Sequence, residues 1–347
     1  MTTRRQRAFV RLAGPDDAPP LVLIHGNVSS SVFWSDTIAA MAADMRVIAP
    51  DLRGYGRSEP APIDATRGLR DFSDDLEALL EVLGVAGRPV HMVGWSLGGS
   101  VAMRYAIDHP GAVASLTLIA PGSPYGFGGT RGLDGAPCYP DFAGSGAGLT
   151  NPELCLALAA GDRGEGSLTS PRNVLRTLYF APSFSLPQAI EDAFVDGMLR
   201  TRIGDGNYPG TRQDSIHWPY FAPGERGVSN AVSPKYCDLT ALADLDPRPP
   251  ILWLRGADDR LVGDQALSDL GVLGAMGIIP GWPGPEVYPP QPMLGQTRAL
   301  LERYADRGGT YREEVFDGCG HGPHIERHDR WIELLRATIR AAVGRAA

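Results

Sequence analysis

Short apolar runs alternate with amphipathic stretches along the first third of the chain. Residues 8–13, 21–24, 46–49, 90–93 and 115–119 are compact and mainly apolar, and the pattern predicts strands there, the later ones buried on both faces. Between them, 33–43 and 72–83 carry the spacing of helices. In the second, Phe72, Leu76, Leu79, Leu80 and Leu83 share one face, with Asp74, Asp75, Glu77 and Glu81 opposite. Strands separated by helices predict the α/β class: a mostly parallel sheet with helices on both faces.

The texture changes after Pro121. Residues 122–148 are dense in Gly and Pro, and helical pieces follow at 152–160, 173–180 and 187–203. An aromatic stretch (His217, Trp218, Pro219, Tyr220, Phe221) then leads to 239–245, with no clear strand anywhere in this block. A structureless loop of that length is rare in a compact domain, so 122–246 is expected to be an inserted, mainly helical cap. Core texture returns at 251–254, with a strand at 311–316 and a helix at 330–343. The expected organisation is a first core part at 1–121, the cap at 122–246 and a second core part at 247–347. Within the last, Gly, Pro and aliphatic residues at 271–292 predict an extra insertion near 265–295 that packs on the core or rims a pocket.

With 347 residues, 43% hydrophobic and 21% charged, the chain has enough apolar material for a large core. A net charge of -8 argues against nucleic acid or an anionic membrane as partner. No run approaches the ~20 apolar residues of a membrane span, and Arg4-Arg5 lack the apolar stretch of a signal peptide. Cys138, Cys155, Cys237 and Cys319 are too scattered for a C-x-x-C site. The expectation is a cytoplasmic protein with reduced thiols and a small-molecule substrate, its oligomeric state left open. Neither metal-ligand spacing nor a phosphate-binding glycine loop is present, so no metal and no cofactor are expected.

The chemistry-bearing segment is Gly94-Trp95-Ser96-Leu97-Gly98-Gly99, a G-x-S-x-G placed between a predicted strand and a predicted helix. A sharp turn there needs small residues on either side of the serine, and it lifts the hydroxyl above the sheet beside the first amides of the helix. A serine is barely ionised at neutral pH and needs a base. His321, in Asp317-Gly318-Cys319-Gly320-His321-Gly322 just past the last strand, is the candidate, with His324 its rival; His91 reads as a core histidine. The base needs a carboxylate to fix its tautomer. Asp258 and Asp259, after the 251–254 strand, compete for that role, and the spacing from Gly256 favours Asp259. His25-Gly26-Asn27 ends a strand in a turn, so the amides of Asn27 and Leu97 are candidates for an oxyanion hole. Trp95 and Trp34 lie beside the predicted site and are candidates for substrate contact, as Tyr125, Phe127, Trp218, Tyr220 and Tyr236 are for the cap wall.

Together, His25-Gly26-Asn27, the segment from Asp51 to Ser58, Gly94 to Gly99, Gly256-Ala257-Asp258-Asp259 and Gly320-His321 resemble a capped serine hydrolase of the α/β-hydrolase superfamily typified by esterases and non-haem haloperoxidases. The resemblance covers roughly 8–121 and 247–343. It implies the order Ser96, Asp259, His321 for nucleophile, acid and base, Asn27 and Leu97 for the hole, and a structural role for Asp51 to Ser58. The Asn27 loop also resembles that of haloalkane dehalogenases, but those enzymes need a carboxylate where this chain has Ser96. In these families Asp259 and His321 usually stand closer than the 61 residues that separate them here. The expected reaction is hydrolysis of a carboxylic ester or lactone of a small or medium apolar molecule. The same triad also serves carbon–carbon bond hydrolysis, amide or peptide cleavage and perhydrolysis. A ligand-binding receptor with a vestigial triad is the further alternative.

Overall fold

A computed structural model describes residues 1–346; Ala347, the last position of the third block, lies outside the described residues. Its centre is a seven-stranded sheet in the order β1-β3-β2-β4-β5-β10-β11. The first five strands are β1 (Val10–Ala13), β2 (Pro20–Ile24), β3 (Arg46–Pro50), β4 (Val90–Trp95) and β5 (Val113–Ile119). Only β1 runs antiparallel to its neighbour; the pairs β2–β3, β2–β4 and β4–β5 are parallel. Every residue of β2 and β4 is buried, as expected of strands covered on both faces, whereas edge strand β1 is partly exposed.

Helices α1 (Ser35–Met41), α2 (Arg70–Val82) and α3 (Leu97–Asp108) connect these strands. Residues Ser31–Trp34 form a tighter 3-10 turn, so the helix predicted from position 33 starts later than expected. In α2 the apolar face is as predicted, but Asp75 is not on a solvated face. It is buried and receives the Arg53 guanidinium (Nε–Oδ2 2.6 Å) and Arg5 (2.8 Å). Residues distant in sequence supply both cations, which offset the cost of burying the carboxylate.

The segment between β5 and the next sheet strand holds short elements. They are β6 (Thr130–Arg131), β7 (Ala136–Pro137), α4 (Pro152–Ala160), α5 (Pro171–Val174), a π-helical turn at Leu175–Tyr179, α6 (Gln188–Met198), β8 (Arg212–Asp214), β9 (Phe221–Pro223) and α7 (Val228–Ala231). The helical pieces fall where the pattern placed them. The expectation of no strand does not hold: β6–β7 and β8–β9 form two small antiparallel ladders, too short to leave an apolar signature.

The chain returns to the sheet in β10 (Ile251–Gly256), continues through α8 (Leu270–Ala275) and α9 (Met293–Asp306) to β11 (Tyr311–Phe316), and ends in α10 (Pro323–Glu326) and α11 (His328–Ala346). Strand β10 lies parallel between β5 and β11, although the whole segment separates it from β5 in sequence. Helix α11 packs on α1 and α3 on α2, so both faces of the sheet are covered. The stretch 265–295 packs chiefly on the 122–246 segment: Tyr288 donates to Gly144 O (2.7 Å), Trp218 to Pro280 O (3.0 Å) and Gln291 to Gly126 O (3.0 Å).

Candidate active site

Strand register brings the predicted residues to one edge of the sheet. Ile24 is level with Gly94, Trp95 with Ile119, Ile119 with Leu254, and Gly256 with Phe316. The carboxyl ends of β2, β4, β10 and β11 are therefore side by side, and the loops after them carry Asn27, Ser96, Asp259 and His321.

Ser96 sits on the turn from β4 into α3 with φ 55° and ψ -120°. A non-glycine residue held there costs on the order of 1–3 kcal/mol, which the surroundings must over-determine. They do so by backbone packing: a Cβ on Gly94 would stand 2.1 Å from Gly98 O, and one on Gly98 2.2 Å from Ile24 O. The flanking glycines are thus demanded by backbone-to-backbone contact. The Ser96 amide is fixed to Ile119 O at 2.8 Å, and Leu97 opens α3.

His321 and Asp259 form a buried pair, Nδ1 to Oδ2 2.8 Å, each side chain 3% exposed. Asp259 Oδ1 accepts from the amides of Leu261 (2.8 Å) and Val262 (3.0 Å), so both carboxylate oxygens are committed. An acceptor at Nδ1 keeps the proton there and leaves Nε2 free to take one. Asp258 is exposed. The base loop is held by Trp95, whose Nε1 donates to His321 O at 2.7 Å. Glu326 is buried and its carboxylate bridges two amides, Gly320 (2.7 Å) and Ala181 (2.8 Å); burial raises its pKa.

The turn after β2 is equally constrained. His25 Nε2 accepts from the Leu52 amide (3.0 Å), which leaves Nδ1 to donate to Gly26 O (2.8 Å). Asn27 Oδ1 accepts from the Val28 amide (3.0 Å) and the Tyr55 hydroxyl (2.6 Å), while Asn27 O accepts from the Tyr179 hydroxyl (2.9 Å). Val28, β-branched, has φ 43°, a second strained position beside the site. The Asp51 to Ser58 segment is structural, as expected: Asp51 accepts from the amides of Ser31 (2.7 Å) and Arg57 (2.8 Å).

Ser96, His321, Asn27, Leu97 and Trp95 all line one cavity of about 390 Å³. Its remaining wall comes mainly from the 122–246 segment (Phe127, Leu149, Leu154, Val174, Leu178, Val232) and from 261–273. Ser100, Ser123, Thr150, Asn151, Tyr208, Ser229 and Ser268 interrupt a mainly apolar wall. No Asp, Glu, Lys or Arg is among its lining residues.

Other candidates lie elsewhere. Trp34 is fully buried against His324 (ring centroids 4.6 Å) and is not part of the cavity wall. Of the aromatic wall candidates Phe127 lines the cavity; Tyr125, Trp218, Tyr220 and Tyr236 do not. His324 packs among Trp34, Trp95 and Trp331, and neither of its ring nitrogens has a hydrogen-bond partner among the described residues. His91 is a core residue bonded to Ser115 Oγ at 2.8 Å, as expected. All four cysteines are free thiols; burial pushes Cys319 up to about 11, so beside His321 it stays protonated. Among the described residues no His, Cys, Asp and Glu cluster could hold a metal, and no helix is long and apolar enough to cross a membrane.

Residues 19–134 match the family model of the alpha/beta hydrolase fold. The match spans about a third of the chain. The chain is 40% identical over 129 residues to "Probable lysophospholipase BODYGUARD 2" of Arabidopsis thaliana, covering 35% of this chain and 27% of that protein. It is 31% identical over 121 residues to carboxylesterase YbfK of Bacillus subtilis (strain 168), covering 35% and 40%. The chain thus spans less than half the length of these curated relatives. The crystal structure of the same carboxylesterase superposes with a TM-score of 0.58 over 98% of this chain and 90% of that chain, at 17% identity. The architecture is shared throughout, and the sequence likeness is concentrated in about a third of the chain.

Tyr55, Tyr179 and Glu326 are the site residues that sequence reasoning missed. Tyr55 and Glu326 lie in segments singled out for other reasons. Tyr179 has no sequence signal, because its partner is the backbone of a turn 152 positions away.

Proposed function

We propose that the chain is a serine hydrolase that cleaves a carboxylic ester or lactone of an uncharged, apolar molecule through an acyl-enzyme. The observation that carries this reading is the joint opening of Ser96 and His321, the latter paired with Asp259 behind it, onto a cavity with no formally charged lining residue. Relatives named as a carboxylesterase and a lysophospholipase support ester cleavage as the reaction class.

In this reading Nε2 of His321 takes the Ser96 proton as Oγ attacks the carbonyl, and Asp259 stabilises the imidazolium. The amides of Asn27 and Leu97 receive the oxyanion; neither is bonded to another group among the described residues. The imidazolium then protonates the leaving alcohol, and water activated by the same histidine releases the acid. A cavity of this size lies within the ~300–1,000 Å³ of small-molecule sites. Desolvating an ionised headgroup against leucines and valines without a counter-charge is costly, so a neutral ester is favoured over a zwitterionic one.

A panel of p-nitrophenyl esters from acetate to dodecanoate tests the reading. Turnover is expected in the wild type and is expected to fall by at least ~10³-fold in Ser96→Ala. A neutral monoacylglycerol should be hydrolysed faster than a lysophosphatidylcholine of the same chain length. Absence of ester turnover together with no fluorophosphonate labelling of Ser96 would overturn the proposal.

A further inference from the structure

The π-helical turn Leu175–Tyr179 belongs to the segment outside the sheet, yet its last residues touch both loops that carry the chemistry. The Tyr179 hydroxyl donates to Asn27 O (2.9 Å) and lies 3.3 Å from Val28 O, across the strained part of the candidate oxyanion turn. Its ring packs edge-on to Trp95 (5.7 Å) and His321 (6.1 Å). One residue further, the contacts pass to the base loop. Tyr179 O accepts from the Gly322 amide (2.9 Å), and the Ala181 amide shares the Glu326 carboxylate with Gly320. Backbone approaches backbone so closely that a Cβ on Gly320 would stand 2.8 Å from Ala181 N. π-Helical turns are uncommon and concentrate at functional sites.

We propose that Tyr179 is a positioning residue: its hydroxyl holds the Asn27–Val28 turn in the orientation that aims the Asn27 amide into the cavity. This rests on the acyl-transfer reading above. Tyr179 lines the cavity and its ring stands against His321, but its hydroxyl is committed to the turn, so it acts through the Asn27–Val28 peptide, next to the one that carries the Asn27 N–H. From the other side, Tyr55 grips the Asn27 side chain, so the turn is clamped between a core residue and a residue of the inserted segment. The turn stays in place because two hydroxyls over-determine a conformation that Val28 disfavours.

The test is Tyr179→Phe, which keeps the ring and removes only the hydroxyl. Measured on an ester the wild type turns over, kcat is expected to fall on the order of 10-fold with KM within about twofold, since misplacing an oxyanion donor weakens only the transition state. Affinity for a trifluoromethyl ketone should fall in parallel, and the pH at which the base titrates in kcat/KM should not move. Tyr55→Phe should give a smaller loss, and the double variant a non-additive one, because both act on one turn. Unchanged kcat and ketone affinity in Tyr179→Phe would overturn the proposal. So would a loss appearing only as raised KM or lowered thermal stability. The fluorophosphonate labelling rate of Ser96 gives the same readout without a substrate, and should slow in Tyr179→Phe. Failure of the wild type to label at all would instead refute the acyl-transfer reading.

Discussion

The sheet-bearing part of the molecule and the segment between β5 and β10 are built by different means. The central strands β2 and β4 are buried along their whole length, with their register set by neighbouring strands. The inserted segment has short helices and two small ladders, and side chains bind much of it together. Arg172 and Arg176 converge on Glu191; Asp141 holds Ser215 (2.6 Å) and His217 (3.0 Å); Asn230 spans to Thr211 O and Arg226 O, both at 2.6 Å. The difference separates two jobs. Groups placed by the core meet along one sheet edge, whereas the inserted segment supplies most of the wall that a ligand would meet. Changes in the core should therefore abolish turnover or stability, and changes in the segment should alter which molecule fits.

The largest expected effect is at Asp259. In Asp259→Asn the two amides at Oδ1 force the carbonyl oxygen to stay there, so the new NH₂ faces His321 Nδ1 and imposes the wrong tautomer. A fall in kcat of about 10⁴-fold is expected with little change in thermal stability; steady-state kinetics beside a melting curve check both. A small kinetic loss would mean that the core does not deliver its histidine ready to act.

His91 tests the core as a buried block. Burial pushes its pKa down to about 4, below the ~6.5 of an unfolded chain, so the folded state binds fewer protons. Its contribution is fully present above pH 6.5 and is lost as pH falls from 6.5 toward 4, on the order of 3 kcal/mol in all. Urea unfolding should show that loss in the wild type and a flatter profile over the same window in His91→Gln.

The smallest effect is the most specific. Val232, on the cavity wall from the inserted segment, can be enlarged to Phe without touching the sheet. Val232→Phe should lower kcat/KM for the dodecanoate ester about 10-fold relative to the acetate. Equal losses on both esters would erase the distinction between a core that reacts and a segment that selects.

Much of the site was legible because its residues stand at fixed offsets from strand ends. The serine between Gly94 and Gly98, the histidine after β11 and the turn after β2 each follow an apolar run, and parallel strands deliver their ends together. Asp259 was favoured over Asp258 by spacing, and the structure gives the physical distinction: Asp258 faces solvent, while Asp259 accepts two amides and the imidazole. Local pattern misled where distant partners decide. Asp75 reads as a solvated helix face until Arg53 and Arg5 arrive from elsewhere, and Trp34 reads as a site neighbour until it is buried against His324. The short strands β6 to β9 escaped notice because strands of two or three residues have no period to detect.

By itself, then, the sequence determined the α/β architecture, the interruption after β5 and which side chains are candidates for the chemistry, because strand and turn preferences act over a few neighbouring residues. Only the tertiary structure decided that Tyr179 reaches Asn27, that 265–295 packs on the inserted segment, and that the cavity wall carries no formal charge. Those are contacts between positions far apart in the chain, and no local periodicity encodes which distant surfaces will meet.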